Sequence, residues 1–108
     1  MPELTPAERF RAYEAAAYEL SGLKRDGTRS FFRLAQLLRR IERERLYAER
    51  FATFERFLAA GAGLPVEEGL RLARAADLFD PTEAAELGRE KVLALAALPR
   101  EQVRALLS

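Results

Sequence analysis

Apolar residues recur at intervals of three and four positions along most of the chain, which is the period of an amphipathic α-helix. The first such run follows Thr5-Pro6-Ala7-Glu8, a capping box that carries proline at the first helical position. Its apolar face consists of Phe10, Tyr13, Ala17 and Leu20. Gly22 and the turn-forming residues after it predict a stop. We therefore predict an N-terminal helix within residues 1–23 that covers the core.

A second helix is predicted from about Arg29 to about Leu46, inside a basic segment that spans residues 24–50. Its buried stripe consists of Phe31, Leu34, Leu37, Leu38 and Ile41. The apolar register then shifts, so the helix either bends or breaks, and we favour a break near Phe51 with Thr53 as the cap of the next helix. The aromatic residues of this stretch are predicted to belong to the core rather than to stack on bases.

Residues 53–79 predict a helix-turn-helix-like pair, in which a tight turn joins two short helices. Gly63 suits the left-handed conformation of such a turn, and Ala59, four residues earlier, is predicted to lie where the two helices cross. Pro65 is predicted to be the first residue of the second helix. Gly69 takes an inward position that a larger side chain usually fills, which predicts a loosely packed or misaligned pair.

Residues 80–108 predict short C-terminal helices. The run Asp80-Pro81-Thr82-Glu83 combines a capping Asp with proline at the first helical position and Glu at the third. This helix should run to Leu87, and further helices should cover residues 89–98 and 100–107. No segment alternates like a strand, so all 108 residues are predicted to form a single all-α domain, a compact bundle of six or seven mostly short helices.

The composition excludes several kinds of chemistry. The chain contains no Cys and no His, which removes disulfides, thiolate chemistry and His-based catalysis or metal binding. Paired acids are explained by helix starts, caps and ion pairs, so we expect no enzymatic activity, no metal and no cofactor. No apolar run approaches the length of a membrane span and the start lacks a signal peptide, so we expect a cytoplasmic protein without membrane association.

Positive charge is concentrated in one part of the chain. Residues 24–50 carry nine basic and four acidic residues, whereas residues 1–23 and 51–108 each have a net charge of −2. Four arginines of the second helix fall within about 80° of each other, opposite the buried stripe: Arg29, Arg33, Arg40 and Arg43. This stripe is either a solvated face or a surface for phosphates, to which arginine binds in a bidentate manner. The chain has sixteen Arg and two Lys, and such a compositional bias favours the solvated face.

The second helix of the pair has a mixed outward side. Glu67 and Glu68 at its start suit the helix dipole but oppose the approach of DNA. Both acids stand at spacings that predict ion pairs with Arg71. If this helix reads DNA, Arg71 and Arg74 are the residues that we expect to face the groove.

The order of these elements resembles helix-turn-helix proteins of bacterial phages and mobile elements over residues 33–107. The shared features are Ile41, Leu46-Tyr47, Phe54-Glu55, Gly63, Phe79, Lys91 and Leu95-Ala96-Ala97-Leu98-Pro99. The closing segment is also similar to helices of chromosome and plasmid partition proteins of the ParB type. The resemblance implies a DNA-binding scaffold that forms a dimer. Where related sequences carry Gly-Leu-Ser-Arg-Ser, this chain has Gly63-Leu64-Pro65-Val66-Glu67.

Two functional hypotheses follow. In the first, the chain is a small regulatory protein that binds double-stranded DNA, with Arg71 and Arg74 at the groove and the four arginines of the basic stripe on backbone phosphates. In the second, the chain is a protein–protein interaction module that keeps the fold without binding DNA and pairs with itself or with a partner regulator. The acidic start of the second helix motivates this alternative. We expect a homodimer in either case.

Overall fold

The computed structural model describes residues 4–25 and 31–107, and within these ranges it contains seven α-helices and no strand. The α-helices are α1 (Pro6–Arg25), α2 (Phe31–Arg43), α3 (Phe54–Arg56), α4 (Val66–Leu78), α5 (Pro81–Leu87), α6 (Arg89–Leu95) and α7 (Arg100–Leu107). A 3-10 helix, Leu46–Glu49, follows α2, and a π-helix, Phe57–Gly61, continues α3 directly. The predicted all-α bundle of mostly short helices is confirmed.

Helix α2 packs against both α1 and α4. All five residues of its predicted buried stripe are buried, and so are Phe32 and Ala35. Each fully buried large apolar side chain stabilises the fold by about 1.5–3 kcal/mol. The residues of α2 that stay exposed are Arg33, Gln36, Arg40 and Arg43, called the α2 stripe below. The helix therefore offers solvent a single narrow and basic strip.

Helix α1 is longer than predicted, because it continues through Gly22 and ends at Arg25. Leu20 is buried, and Leu23 packs against the same core almost one turn later. This contact offsets the cost of a glycine inside a helix, which is about 1 kcal/mol relative to alanine. The predicted stop at Gly22 is therefore wrong.

The predicted second helix is wrong at its C-terminal end. Helix α2 stops at Arg43, and Arg45 has a φ of 52° before the 3-10 helix begins. A continuous helix would carry Tyr47 onto the α2 stripe, because Tyr47 lies four residues after Arg43. The turn instead buries Leu46 and Tyr47. Burial of these two side chains explains the early break.

Five aromatic rings pack together around α3 and the π-helix. Their closest centroids are 5.9–6.5 Å apart, and the rings belong to Tyr13, Tyr47, Phe51, Phe54 and Phe57. Thr53 caps α3 as predicted, since its hydroxyl accepts a hydrogen bond from the Arg56 N–H at 3.1 Å. The prediction that these aromatic residues belong to the core is confirmed.

The C-terminal helices begin where the sequence places them. An Asp80 carboxylate oxygen accepts from the Glu83 N–H at 2.7 Å, and the Glu83 carboxylate accepts from the Asp80 N–H at 3.0 Å, which completes the capping box of α5. Gly88, with a φ of 85°, separates α5 from α6. Helix α6 ends at Leu95 rather than at Leu98, because Pro99 has no N–H to donate to the Leu95 carbonyl and its ring crowds that carbonyl.

Candidate nucleic-acid interface

A glycine turn joins the π-helix to α4. Gly63 has a φ of 64°, which confirms the predicted left-handed turn, and the Leu64 N–H donates to the Leu58 carbonyl at 2.9 Å to close it. Pro65 is not the first helical residue as predicted, because its ψ of 132° lies outside the helical region. Only its carbonyl joins α4, by accepting from the Gly69 N–H at 3.0 Å. The turn thereby separates α4 from the preceding helix.

The two helices of the pair meet at Gly69. A Cβ atom built on Gly69 would lie 2.6 and 2.8 Å from the two methyl carbons of Leu58, whose side chain is fully buried. Leu58 thus fills the space that a larger residue at position 69 usually fills. This close contact rules out the loosely packed alternative, whereas a contact through Leu58, one residue before Ala59, agrees with the misaligned alternative. Ala59 is exposed, so the predicted crossing point at that residue is wrong.

Helix α4 packs mainly against α2 and meets Leu58 at Gly69, so the opposite side of the helix faces solvent. Five exposed residues, called the α4 face below, follow at helical spacing: Glu67, Leu70, Arg71, Arg74 and Asp77. Arg71 and Arg74 lie outward as predicted. Leu70 is the one apolar residue of this face, and it is 38% exposed. The buried side of α4 consists of Gly69, Leu72, Ala73, Ala75 and Leu78.

Acidic residues engage part of this face. A Glu67 carboxylate oxygen lies 3.6 Å from an Arg71 guanidinium nitrogen, which confirms the predicted pair, and the Glu67 side chain is 86% exposed. The other predicted pair is wrong, because Glu68 binds Arg89 of α6 rather than Arg71. Glu68 is half-buried at the side of α4, where α6 supplies a closer cation than the helix itself.

The C-terminal helices hold α4 through four polar ties. Besides the pair of Glu68 with Arg89, Arg74 donates to the Leu98 carbonyl at 2.6 Å and Arg100 lies 3.2 Å from the Asp77 carboxylate. Arg104 donates to the carbonyl of Leu78, the last residue of α4. Arg74 is exposed, while one nitrogen of its guanidinium group is bound to the Leu98 carbonyl.

The α2 stripe carries three of the four arginines that the sequence predicts for it. Arg33 lies 3.3 Å from Glu19, and Arg40 lies 3.1 Å from Glu44. Arg43 is exposed and makes no ion pair with any residue in the described ranges. The fourth predicted residue, Arg29, lies outside the described residues.

An ion pair connects α2, at a residue beside the α2 stripe, with the α4 face. Arg39 lies 3.4 Å from Asp77 and 3.2 Å from Glu42. Since Arg43 follows Arg39 by one helical turn, it lies on the same side of α2 as this bridge. The two exposed surfaces are thus neighbours. Sequence reasoning missed the role of Arg39, because a contact between residues 39 and 77 leaves no signal in local spacing.

Nothing else in the described part of the chain suggests a chemical centre. None of its helices is long and apolar enough to cross a membrane, and no group of acidic residues there is arranged to hold a metal ion. No protein-family model matches the chain, and searches of curated proteins and of solved structures find no match either.

Proposed function

We propose that the protein is a small, non-enzymatic helix-turn-helix protein that binds double-stranded DNA, with the α4 face at the major groove and the α2 stripe on backbone phosphates. The observation that supports it most is the arrangement around Gly69. Leu58 packs there, α2 covers most of the buried side of α4, and Arg71 and Arg74 remain outside. A helix held outward after a tight turn is the element that enters the groove in helix-turn-helix proteins.

The α4 face and the α2 stripe differ in net charge, and this difference gives them different roles in DNA binding. The α4 face holds two acids and two arginines, so it contributes little net attraction to DNA. The α2 stripe holds three arginines and no acid, and phosphate contacts supply most of the sequence-independent affinity. Glu67 at the start of α4 is suited to accept a hydrogen bond from the amino group of cytosine. We infer that α2 provides affinity and α4 provides discrimination between sequences.

The ion pairs seen at these arginines do not prevent such binding. The pairs of Arg33, Arg40 and Arg71 all involve exposed side chains, and exposed pairs of this kind contribute only about 0–1 kcal/mol each. A phosphate offers arginine a stronger, bidentate partner. DNA can therefore replace the surface carboxylates at a small cost in free energy.

The test is fluorescence anisotropy with a short random-sequence duplex over a series of salt concentrations. Three phosphate contacts predict a slope of log affinity against log salt of about −3. Arg43→Ala should weaken binding and reduce the magnitude of this slope by about one. Arg11→Ala, which removes an exposed arginine of α1, is the matched control and should leave both quantities unchanged. Equal behaviour of the two variants would show that the α2 stripe does not contact DNA.

A protein-interaction module remains the second candidate, and the exposure of Leu70 between the charges of the α4 face favours it. In that case α4 would bind a second copy of the chain or a partner regulator. The wild-type protein would then fail to bind the duplex even at low salt. The mass of the protein in solution, measured in parallel, would report a dimer whose stability depends little on salt.

A further inference from the structure

The turn between α2 and the 3-10 helix holds an unusual residue. Arg45 has φ and ψ of 52° and 43°, the left-handed conformation, and among the described residues it is the one non-glycine residue with a positive φ. Gly63 and Gly88 fill the other positive-φ positions. A side chain in this conformation crowds the following carbonyl oxygen, a cost that glycine avoids. The turn would therefore form more easily with glycine at position 45.

Contacts within the protein do not explain the arginine side chain. Its backbone N–H donates to the Glu42 carbonyl at 3.3 Å and its carbonyl accepts from the Ala48 N–H at 3.0 Å, bonds that any residue makes. The side chain is exposed, and in the described ranges it has no hydrogen bond or ion pair. A strained residue whose side chain does nothing for the fold is a candidate for a role in binding.

The surrounding charges leave Arg45 and Arg43 uncompensated. Three acids lie nearby in the chain, and each is engaged by another arginine: Glu42 by Arg39, Glu44 by Arg40 and Glu49 by Arg9. Arg43 and Arg45, two residues apart at the end of α2, retain their full positive charge. The end of the α2 stripe thus carries two neighbouring arginines that form no ion pair with the described residues.

We propose that Arg45 is a further phosphate-binding residue, which extends the α2 stripe around the turn and contacts the DNA backbone next to the phosphate bound by Arg43. This role rests on the proposed DNA binding. Guanidinium groups bind phosphate oxygens in pairs, and in homeodomains the loop after the first helix of the three-helix unit also contacts the DNA backbone. The left-handed turn directs the arginine away from the core and towards solvent, where a phosphate can reach it.

The test uses two neutral variants that suit the turn, Arg45→Gly and Arg45→Asn, since both residues tolerate a positive φ. Each should unfold at a higher temperature than the wild type. Each should nevertheless bind the random-sequence duplex less tightly, by roughly three- to tenfold at low salt, with the magnitude of the salt slope reduced by about one. Arg45→Lys keeps the charge and the strain, so it should retain the wild-type slope and show no gain in stability.

The outcomes separate this role from DNA binding in general. If the wild type binds DNA and both neutral variants bind equally well, Arg45 does not contact phosphate, although the proposed function stands. If the wild type does not bind DNA even at low salt, both assignments are overturned. Inorganic phosphate, added at constant ionic strength, should not displace the duplex from the wild type. Displacement would mean that the turn binds free phosphate rather than the DNA backbone.

Discussion

The contact between Leu58 and Gly69 predicts that alanine at position 69 destabilises the protein. Inside a helix, Gly→Ala normally increases stability by about 0.5–1 kcal/mol. Here the new methyl group would lie 2.6 Å from one Leu58 methyl carbon and 3.1 Å from the branch carbon of that side chain. Because Leu58 is fully buried, it cannot turn aside freely. Overpacking of this kind costs about 1–3 kcal/mol, so we expect Gly69→Ala to lower stability by up to about 2 kcal/mol.

A matched control isolates the overpacking. Gly22 also lies in a helix, but a Cβ at that position meets nothing within 4 Å. Gly22→Ala should therefore show the helix-propensity gain alone, and the two variants should differ by the overpacking term of about 1–3 kcal/mol. Urea unfolding followed by circular dichroism measures both free energies. A second control, Leu58→Ala with Gly69→Ala, removes the clash, so in that background alanine at position 69 should stabilise.

If Gly69→Ala stabilises the protein as much as Gly22→Ala does, the explanation of the helix pair given above is wrong. The same result would mean that the angle between the π-helix and α4 adjusts easily. The outward position of Arg71 would then depend on the packing of α4 against α2 and α6.

Two further predictions concern the helix starts. Asp80→Ala removes the capping box of α5 and should reduce the free energy of unfolding by about 1 kcal/mol. Thr82→Ala, in the same turn, is the control and should change the free energy of unfolding little. Equal thermal midpoints for the two variants would contradict this prediction. At α1, hydrogen bonding to Thr5 lowers the pKa of Glu8. The bond from the Thr5 backbone N–H has the larger effect, and the bond with the Thr5 hydroxyl has the smaller one. The ionised Glu8 carboxylate therefore contributes its full stabilisation at pH values above the ordinary pKa of a glutamate. This stabilisation is lost as the pH falls through the lowered pKa of Glu8. In a plot of the free energy of unfolding against pH, Glu8→Gln should reduce the slope at acidic pH. The same slope in the variant and the wild type would refute this.

Local signals in the sequence were enough to predict where helices begin. Thr53 and Asp80 cap the helices that follow them, and Gly63 makes the turn, because each acts on backbone groups within a few residues. The buried stripe of α2 was also readable, since a helix that packs against both α1 and α4 carries an unmistakable apolar period.

Long-range contacts decided the features that sequence reasoning missed. The end of α2 depends on where Tyr47 can be buried, and the fit at Gly69 depends on Leu58, eleven positions away in the chain. The partner of Glu68 is on α6 rather than one turn along its own helix. Spacing along a single helix carries no information about such partners. The candidate site was therefore predictable as a set of arginines, but the bridge that joins its two surfaces, from Arg39 to Asp77, was not.

Because of the polar contacts between α4 and the C-terminal segment, the helix pair cannot be moved to another protein on its own. A fragment that ended at Phe79 would leave Glu68 and Asp77 without their arginines from α6 and α7, and would remove the carbonyl that anchors Arg74. The smallest unit that presents the α4 face correctly therefore extends through α7. Any chimaera built to move this face onto another scaffold must carry residues 80–107 with it.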